Sequence, residues 1–307
     1  MLNSDNFNHF NKNTAVCLGF FDGVHKGHKA VIKEAVKQKK FSLIPVLFTF
    51  DTSPVLQTKN ISPELITDNH TKSKILKNIG IEHVIYYPFS ELKDLSPEEF
   101  VYKIILKKLK AKKVFCGFNY KFGKGGFSDS QTLKKLCQNY NITVEIVPPI
   151  IDDNLPISST RIRSLIKSGK VDIAERLLER SFSFTSKVIT GRKLGRKLGA
   201  PTLNQTLPKD LVVPKFGVYA SLVSFKDITT CGVTNIGIKP TVGSEYPLSE
   251  TFMPNYNGHE IYGEIVTIKL IKFLRTEQKF NNLDELKYQI ISDAKNSQII
   301  LKNYKYL

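Results

Sequence analysis

A short apolar run, Ala15 to Leu18, breaks off into Gly19-Phe20-Phe21-Asp22-Gly23-Val24-His25-Lys26-Gly27-His28. The next segment, Lys29 to Lys39, then places Val31, Ile32, Ala35 and Val36 at helical spacing. A strand that turns through glycines into a helix commits the chain to a βα unit, and repeated units of that kind close on a parallel sheet. Gly19, Gly23 and Gly27 permit tight turns and a close approach of backbone to ligand. The helix start would aim free N–H groups and the positive end of its dipole at the turn, which suits an anion. His25 and His28 lie three apart at that start, so both imidazoles can address one phosphate. The alternative is a pair of surface histidines, and their interleaving with glycine directly after a strand favours the phosphate site.

The alternation continues downstream. Leu43 to Phe50 is an apolar, β-rich run ending in Asp51-Thr52-Ser53-Pro54. Lys72 to Ile79 is helical in period and is stopped by Gly80, and Glu82 to Tyr87 reads as a strand. Ser96-Pro97-Glu98-Glu99 carries a cap, a first-turn proline and a capping-box glutamate, announcing a helix to about Lys110. A strand at Lys113 to Cys116 enters a second glycine loop, Gly117 to Gly126, followed by a helix (Gln131 to Tyr140) and a strand (Thr143 to Val147). Ligands of such sheets sit at the carboxyl ends of the strands, where both glycine loops and the Asp51 loop fall.

Pro156-Ile157-Ser158-Ser159-Thr160-Arg161-Ile162-Arg163 opens another amphipathic segment, and a short helix follows at Val171 to Leu178. Hydroxyls and guanidiniums at a helix start suit a polyphosphate, although a plain capping box has the same look. From Ser181 to Ser183 onward helical periods give way to short β segments: Phe184 to Ile189, Gly217 to Phe225, Thr229 to Ile236 and Glu260 to Ile271. This marks a second, all-β domain, closed by a helix over Leu283 to Ile300. Near its start Gly191, Gly195 and Gly199 recur every four residues with Arg192, Lys193, Arg196 and Lys197 between them, a loop suited to wrapping phosphates or to a basic solvated turn. Thr202 and Asn204 then share one face of an extended segment and offer two neutral oxygens to a hard cation such as Mg²⁺.

At 307 residues with 41% hydrophobic content the chain can bury two cores. Its first residues, Met1 to Lys12, are polar, and no run approaches the roughly 18 apolar residues of a membrane span. That pattern leads us to expect a cytoplasmic protein without a membrane partner, monomeric or weakly oligomeric. Cys17, Cys116, Cys137 and Cys231 lack paired spacing, against zinc or disulfides and in favour of small buried side chains. The net charge of +17 would attract polyanions, either nucleic acid or phosphate-rich small molecules. Because the lysines spread along helix faces without interleaved aromatics, we expect a solvated surface and no nucleic-acid partner.

The turn Leu18 to His28 resembles the (H/T)xGH signature of nucleotidyltransferases. Its fuller F-D-G-V-H-x-G-H form is similar to that of the bacterial riboflavin kinase/FAD synthetase family. Ser158 to Arg163 resembles the ISSTxxR element that holds the β- and γ-phosphates of ATP. In the second half GRxLGxPTxN, PxxGVYA (Pro214 to Ala220), GxxNxGxxPT (Gly232 to Thr241), a lone Glu250, Tyr262-Gly263 and LRxExKF (Leu274 to Phe280) resemble the riboflavin kinase module in order and spacing. The resemblance runs from about Val16 to Asp293. It implies a Rossmann-like FMN adenylyltransferase domain over residues 1–182, then a six-stranded β-barrel flavokinase domain over 183–307 with a C-terminal helix. Riboflavin and FMN would be the flavin partners, ATP the nucleotide and Mg²⁺ its companion, with FMN and FAD as products.

By the same resemblance Glu250 would be the kinase base, Thr202 and Asn204 the Mg²⁺ ligands, and Gly191, Gly195, Arg196, Lys197 and Gly199 the cover over the ATP phosphates. Arg275 and Phe50 would touch flavin. In the first half His25 and His28 would stabilise the transferring phosphate, Gly19, Phe20, Asp22, Gly27 and Asn119 would line the nucleotide, and Ser158, Ser159, Thr160 and Arg163 would hold the outer phosphates. The chain departs from the family pattern at Phe50-Asp51-Thr52-Ser53-Pro54, where the family usually has F-D-P-H-P, and at Phe20, Asn119 and Ser186. Two other readings fit: a riboflavin kinase with a degenerate adenylyltransferase half, or a flavin- or nucleic-acid-binding regulator on the same fold. A regulator should have lost Glu250 or the histidines, which this chain keeps.

Overall fold

A computed structural model describes residues 2–3, 10–50, 64–190, 202–238, 246–256, 261–302 and 304. The loop with Gly191, Gly195, Arg196, Lys197 and Gly199, and the stretch Asp51 to Pro54, lie outside the described residues. The chain divides into two compact units, residues 1–63 with 67–159, and residues 64–66 with 160–307.

The first unit is built on β1 (Leu2–Asn3), β2 (Thr14–Leu18), β3 (Ile44–Phe50), β4 (His83–Tyr87), β5 (Ala111–Gly117) and β8 (Thr143–Val147), in the order β1-β4-β3-β2-β5-β8. Every pairing is parallel. Parallel strands need crossovers, and these are α1 (Lys26–Lys37), α2 (Asn69–Ile79), α3 (Pro97–Glu99, continuing as a π-helix over Phe100–Lys108) and α4 (Ser130–Gln138). Small hairpins, β6 (Lys121–Phe122) with β7 (Ser128–Asp129) and β9 (Ile151–Asp152) with β10 (Leu155–Pro156), edge the loops.

Both faces of the sheet are covered, so the strands read as continuous apolar runs rather than alternations. Val16, Leu18, Val46 and Phe48 pack against Phe100, Val101, Ile104 and Ile105, while Ala15, Cys17 and Leu47 meet Val31, Ile32, Ala35 and Leu76. Burying each large side chain contributes about 1.5–3 kcal/mol. The Ser96/Glu99 capping box forms as the sequence predicts. The helix it starts continues as a π-helix from Phe100, and it ends where Leu109 N–H reaches back to the Ile104 carbonyl at 2.8 Å and Lys110 turns left-handed.

The second unit is a closed antiparallel barrel, β11-β12-β15-β14-β13-β16, formed by β11 (Phe182–Ile189), β12 (Thr202–Thr206), β13 (Gly217–Phe225), β14 (Ile228–Gly237), β15 (Leu248–Phe252) and β16 (Ile265–Arg275). Closure removes the sheet edges. Two helices precede it, α5 (Ser159–Lys167) and α6 (Val171–Leu178), and α7 (Leu283–Lys302) ends it. Period-2 alternation sends Phe182, Phe184, Val266, Ile268, Leu270 and Ile236 inward, all buried. The interior also carries a hydroxyl chain, Ser221 to Thr234 to Thr251 at 2.7 and 2.8 Å, which satisfies groups that would otherwise be stranded. On the outer face Leu222, Cys231 and Ile271 pack under Leu301 of α7. The last strand starts later than the sequence pattern indicates, at Ile265, because Gly263 at φ +83° and a Glu264 N–H to Ile261 carbonyl bond make a turn first.

Candidate functional site

In the first unit β2 lies between β3 and β5, and the strand order reverses there, which opens a crevice at the carboxyl ends of β2 and β5. The histidine turn leaves β2 into that crevice, and Gly117 to Tyr120 leaves β5 beside it, with Asn119 exposed. The turn is held in an unusual backbone: Phe21 (φ +53°), Gly23 (φ +83°) and Val24 (φ +42°) all occupy the left-handed region. For a phenylalanine and a β-branched valine that costs about 1–3 kcal/mol each. Burial offsets it, since Phe21 is 3% exposed and Val24 fully enclosed.

The strained turn ends at His25, which caps α1. Its Nδ1 accepts the His28 backbone N–H at 3.3 Å. A ring that accepts at Nδ1 carries its proton on Nε2, at the far end of the imidazole. The His28 ring stacks on it, centroids 3.6 Å apart and 18° off parallel, and meets the Phe21 edge at 5.2 Å. Gly27 makes that stack fit: a Cβ there would sit 3.2 Å from Nδ1 and Cε1 of His25.

Around the turn Asp22 is buried, its carboxylate accepting Thr67 N–H at 3.3 Å and its carbonyl accepting Ser159 Oγ at 2.9 Å. Ser159 is thereby brought to the histidine turn. Ser158 precedes it, and Thr160 and Arg163 lie on the first turn of α5. The Phe20 carbonyl accepts Thr49 Oγ1 at 2.9 Å and Lys72 Nζ at 3.4 Å. Gly19 N–H bonds the Phe48 carbonyl at 3.4 Å. Phe50 ends β3 with its ring edge-on to Phe89 at 5.3 Å.

On the barrel the register aligns three polar residues side by side: Asn204 of β12 is directly opposite Glu250 of β15, and Glu250 is directly opposite Asn235 of β14. All three lie on the outer face, as does Thr202, two residues before Asn204. Asn235 Nδ2 donates to Glu277 Oε1 at 3.0 Å, and Glu277 lies over Gly237, where a Cβ would come within 2.4 Å of the same oxygen. Thr202, Asn204 and Glu250 are hard oxygen donors on adjacent strands, a set that fits Mg²⁺. Among the described residues no cluster of three His, Cys, Asp or Glu side chains offers a softer or all-charged metal site. Arg275 forks onto Asp293 of α7, with bonds of 3.0 and 2.8 Å, and gives a further N–H to the Thr276 carbonyl.

Asn235, Glu277 and Lys72 thus join the two constellations although the sequence reading gave them no role. Asn235 lies in the Gly232–Thr241 stretch and Glu277 in Leu274–Phe280, and Lys72 sits in the apolar stripe of α2 with Leu76.

Residues 7–161 match the family model described as FAD synthetase and residues 178–301 the model described as riboflavin kinase. The bifunctional riboflavin kinase/FMN adenylyltransferase of Buchnera aphidicola subsp. Schizaphis graminum is 36% identical, with 97% of this chain and 96% of that protein covered. That of Listeria monocytogenes is 33% identical over 93% of this chain and 92% of the other. A crystal structure described as a macrolide-efflux protein from Streptococcus pneumoniae superposes with a TM-score of 0.88 at 30% identity, covering 97% of each chain. Efflux is that protein's description; here, among the described residues, no helix is long and apolar enough to cross a membrane. With both family models matched in succession and relatives similar from end to end, the chain belongs to the bifunctional riboflavin kinase/FMN adenylyltransferase family.

Proposed function

We propose that the barrel unit transfers the γ-phosphoryl group of ATP to the 5′-hydroxyl of riboflavin, and that the parallel-sheet unit transfers AMP from a second ATP to the resulting FMN, giving FAD and pyrophosphate. The observation that carries this reading is the pairing, in one chain, of a stacked histidine cap at a switch point with an Asn204-Glu250-Asn235 row on a barrel.

In the kinase reaction Glu250 takes the hydroxyl proton as the oxygen attacks, with Asn204 and Asn235 flanking it in the register. Thr202 and Asn204 would hold Mg²⁺, which neutralises phosphate charge when bound with ATP. In the adenylyl transfer FMN already carries an anionic phosphate, so no base or side-chain nucleophile is needed. The His25 Nε2–H, His28 and the N-terminus of α1 stabilise charge gathering on the α-phosphate. Ser158 and Ser159 hold the outer phosphates, Gly19, Phe20, Asp22, Gly27 and Asn119 line the nucleotide, and Phe50 borders the flavin. We read Arg275 as the tie between β16 and α7, its guanidinium being engaged by Asp293. Both reactions are assigned to the cytoplasm, in keeping with four cysteines buried as free thiols.

The test is direct: purified protein with riboflavin and MgATP, products separated over time. FMN should appear first and FAD after it; FMN without FAD at millimolar MgATP would restrict the chain to kinase activity.

A further inference from the structure

Lys72 lies on the first turn of α2 and is only 1% exposed. A lysine is rarely enclosed so completely. Its Nζ donates to the Phe20 carbonyl at 3.4 Å and stands 4.9 Å from the centre of the Phe20 ring and 5.0 Å from that of Tyr86. The contact lands at a structurally sensitive point. Phe20 is the last residue before the turn in which Phe21, Gly23 and Val24 are left-handed, and its carbonyl is gripped from β3 by Thr49 and from α2 by Lys72. A second staple, Thr67 N–H to the Asp22 carboxylate, joins the same turn to the approach to α2.

We propose that Lys72 is a positioning residue for adenylyl transfer: its ammonium fixes the Phe20 carbonyl, and through it the strained turn that delivers His25 and His28. This rests on the adenylyl-transfer reading above. Only the charged form serves, because the neutral amine is a weaker donor and has no attraction for two ring faces.

The groups facing the ammonium are Asp22 from the turn, Asp68 from the cap of α2 and the Tyr86 phenol from β4. Burial pulls the lysine down from its ordinary 10.5 to about 8, against the opposing pull of Asp22 and Asp68. Burial pushes the Tyr86 phenol up to about 12, so it stays neutral while Lys72 titrates. Between about pH 8 and 10.5 the folded chain therefore binds fewer protons than the unfolded one, and stability rises with pH across that window. Activity and stability should diverge: a lysine that served packing alone would move the two together.

The experiment follows FAD formation from FMN and MgATP in the full chain between pH 6.5 and 9.5, with riboflavin phosphorylation in the same samples as reference. In the unmutated chain kcat for FAD should fall about tenfold per pH unit above roughly pH 8 while the thermal midpoint of the first unit does not fall. Lys72→Arg, which stays charged, should keep the low-pH rate and flatten that fall. Lys72→Met should lower kcat at least tenfold at pH 7, with KM for ATP changed less and with the kinase unaffected. Wild-type FAD kinetics in Lys72→Met, an unchanged pH fall in Lys72→Arg, or Lys72→Arg inactive at every pH would overturn the proposal. An unmutated chain making FMN but no FAD at any pH would instead remove the adenylyl-transfer reading and this one with it.

Discussion

At the residue scale the two constellations make opposite demands on space and charge. Gly27 is in the first turn of α1, where alanine is a better helix former by about 1 kcal/mol, so Gly27→Ala should not destabilise the fold on propensity grounds. Its new methyl would nevertheless stand 3.2 Å from the His25 ring and push the stacked pair aside. FAD formation should drop by about tenfold to a hundredfold with kinase turnover unchanged, as expected when a reacting group is displaced by a fraction of an ångström. Equal rates in steady-state assays of the two proteins would show that the stack does not matter. Glu250→Gln keeps shape and removes the base, so riboflavin phosphorylation should fall by about a hundredfold while FAD still forms from added FMN. Near-normal kinase turnover would remove Glu250 from its role.

How much of this was legible depends on the reach of each contact. The histidine pair is local, two residues three apart after a strand, and readable from the sequence, whereas the cap that His25 makes on the His28 N–H is not. Asn235 and Glu277 meet across 42 positions, through the pairing of β13 with both β14 and β16, which no local pattern reports. Lys72 left a trace, a cation in a helical stripe with Leu76 and Ile79, but a stripe position does not say what the ammonium will touch.

Among elements, those with strong local punctuation came out where the sequence set them. Gly80 ends α2 at φ +111°, the capping box starts α3, and α6 and β13 have the bounds the periodicity gives. β1 escaped notice because two residues carry no alternation; it exists by pairing with β4 at the sheet edge. The C-terminal helix depends on more than its apolar face. Asp293 accepts both the Arg275 fork and Gln289 Nε2, with the Asp293 side chain 8% and that of Arg275 20% exposed. Asp293→Ala would leave the guanidinium largely enclosed without its carboxylate, at a cost of about 2–3 kcal/mol. Urea denaturation should report that loss in the midpoint, and an unchanged midpoint would make the pair incidental.

For the whole molecule, the period change at Ser181 to Ser183 marks where helices give way to strands, while the compact unit that holds the barrel also includes α5 and α6. Lys215 N–H bonds the Ile166 carbonyl at 3.2 Å, Lys272 pairs with Asp172, and Ser181 and Tyr304 both bond Glu175. Ala174, Leu177 and Leu178 are fully buried. We propose that residues 160–307 fold as a riboflavin kinase, and that a fragment beginning at Ser183 is several kcal/mol less stable, since the two leucines alone contribute about 1.5–3 kcal/mol each. Equal thermal midpoints for the two fragments would deny the helices that part.

The central claim is that one chain carries two separate reaction sites, and complementation tests it most directly. Chains bearing Glu250→Gln and chains bearing His28→Ala are supplied with riboflavin and MgATP, apart and together, and FAD is measured. Neither alone should make appreciable FAD, the first for want of FMN and the second for want of adenylyl transfer. The mixture should make it, with FMN passing through solution. FAD from either variant alone at the unmutated rate, or none from the mixture, would contradict the account.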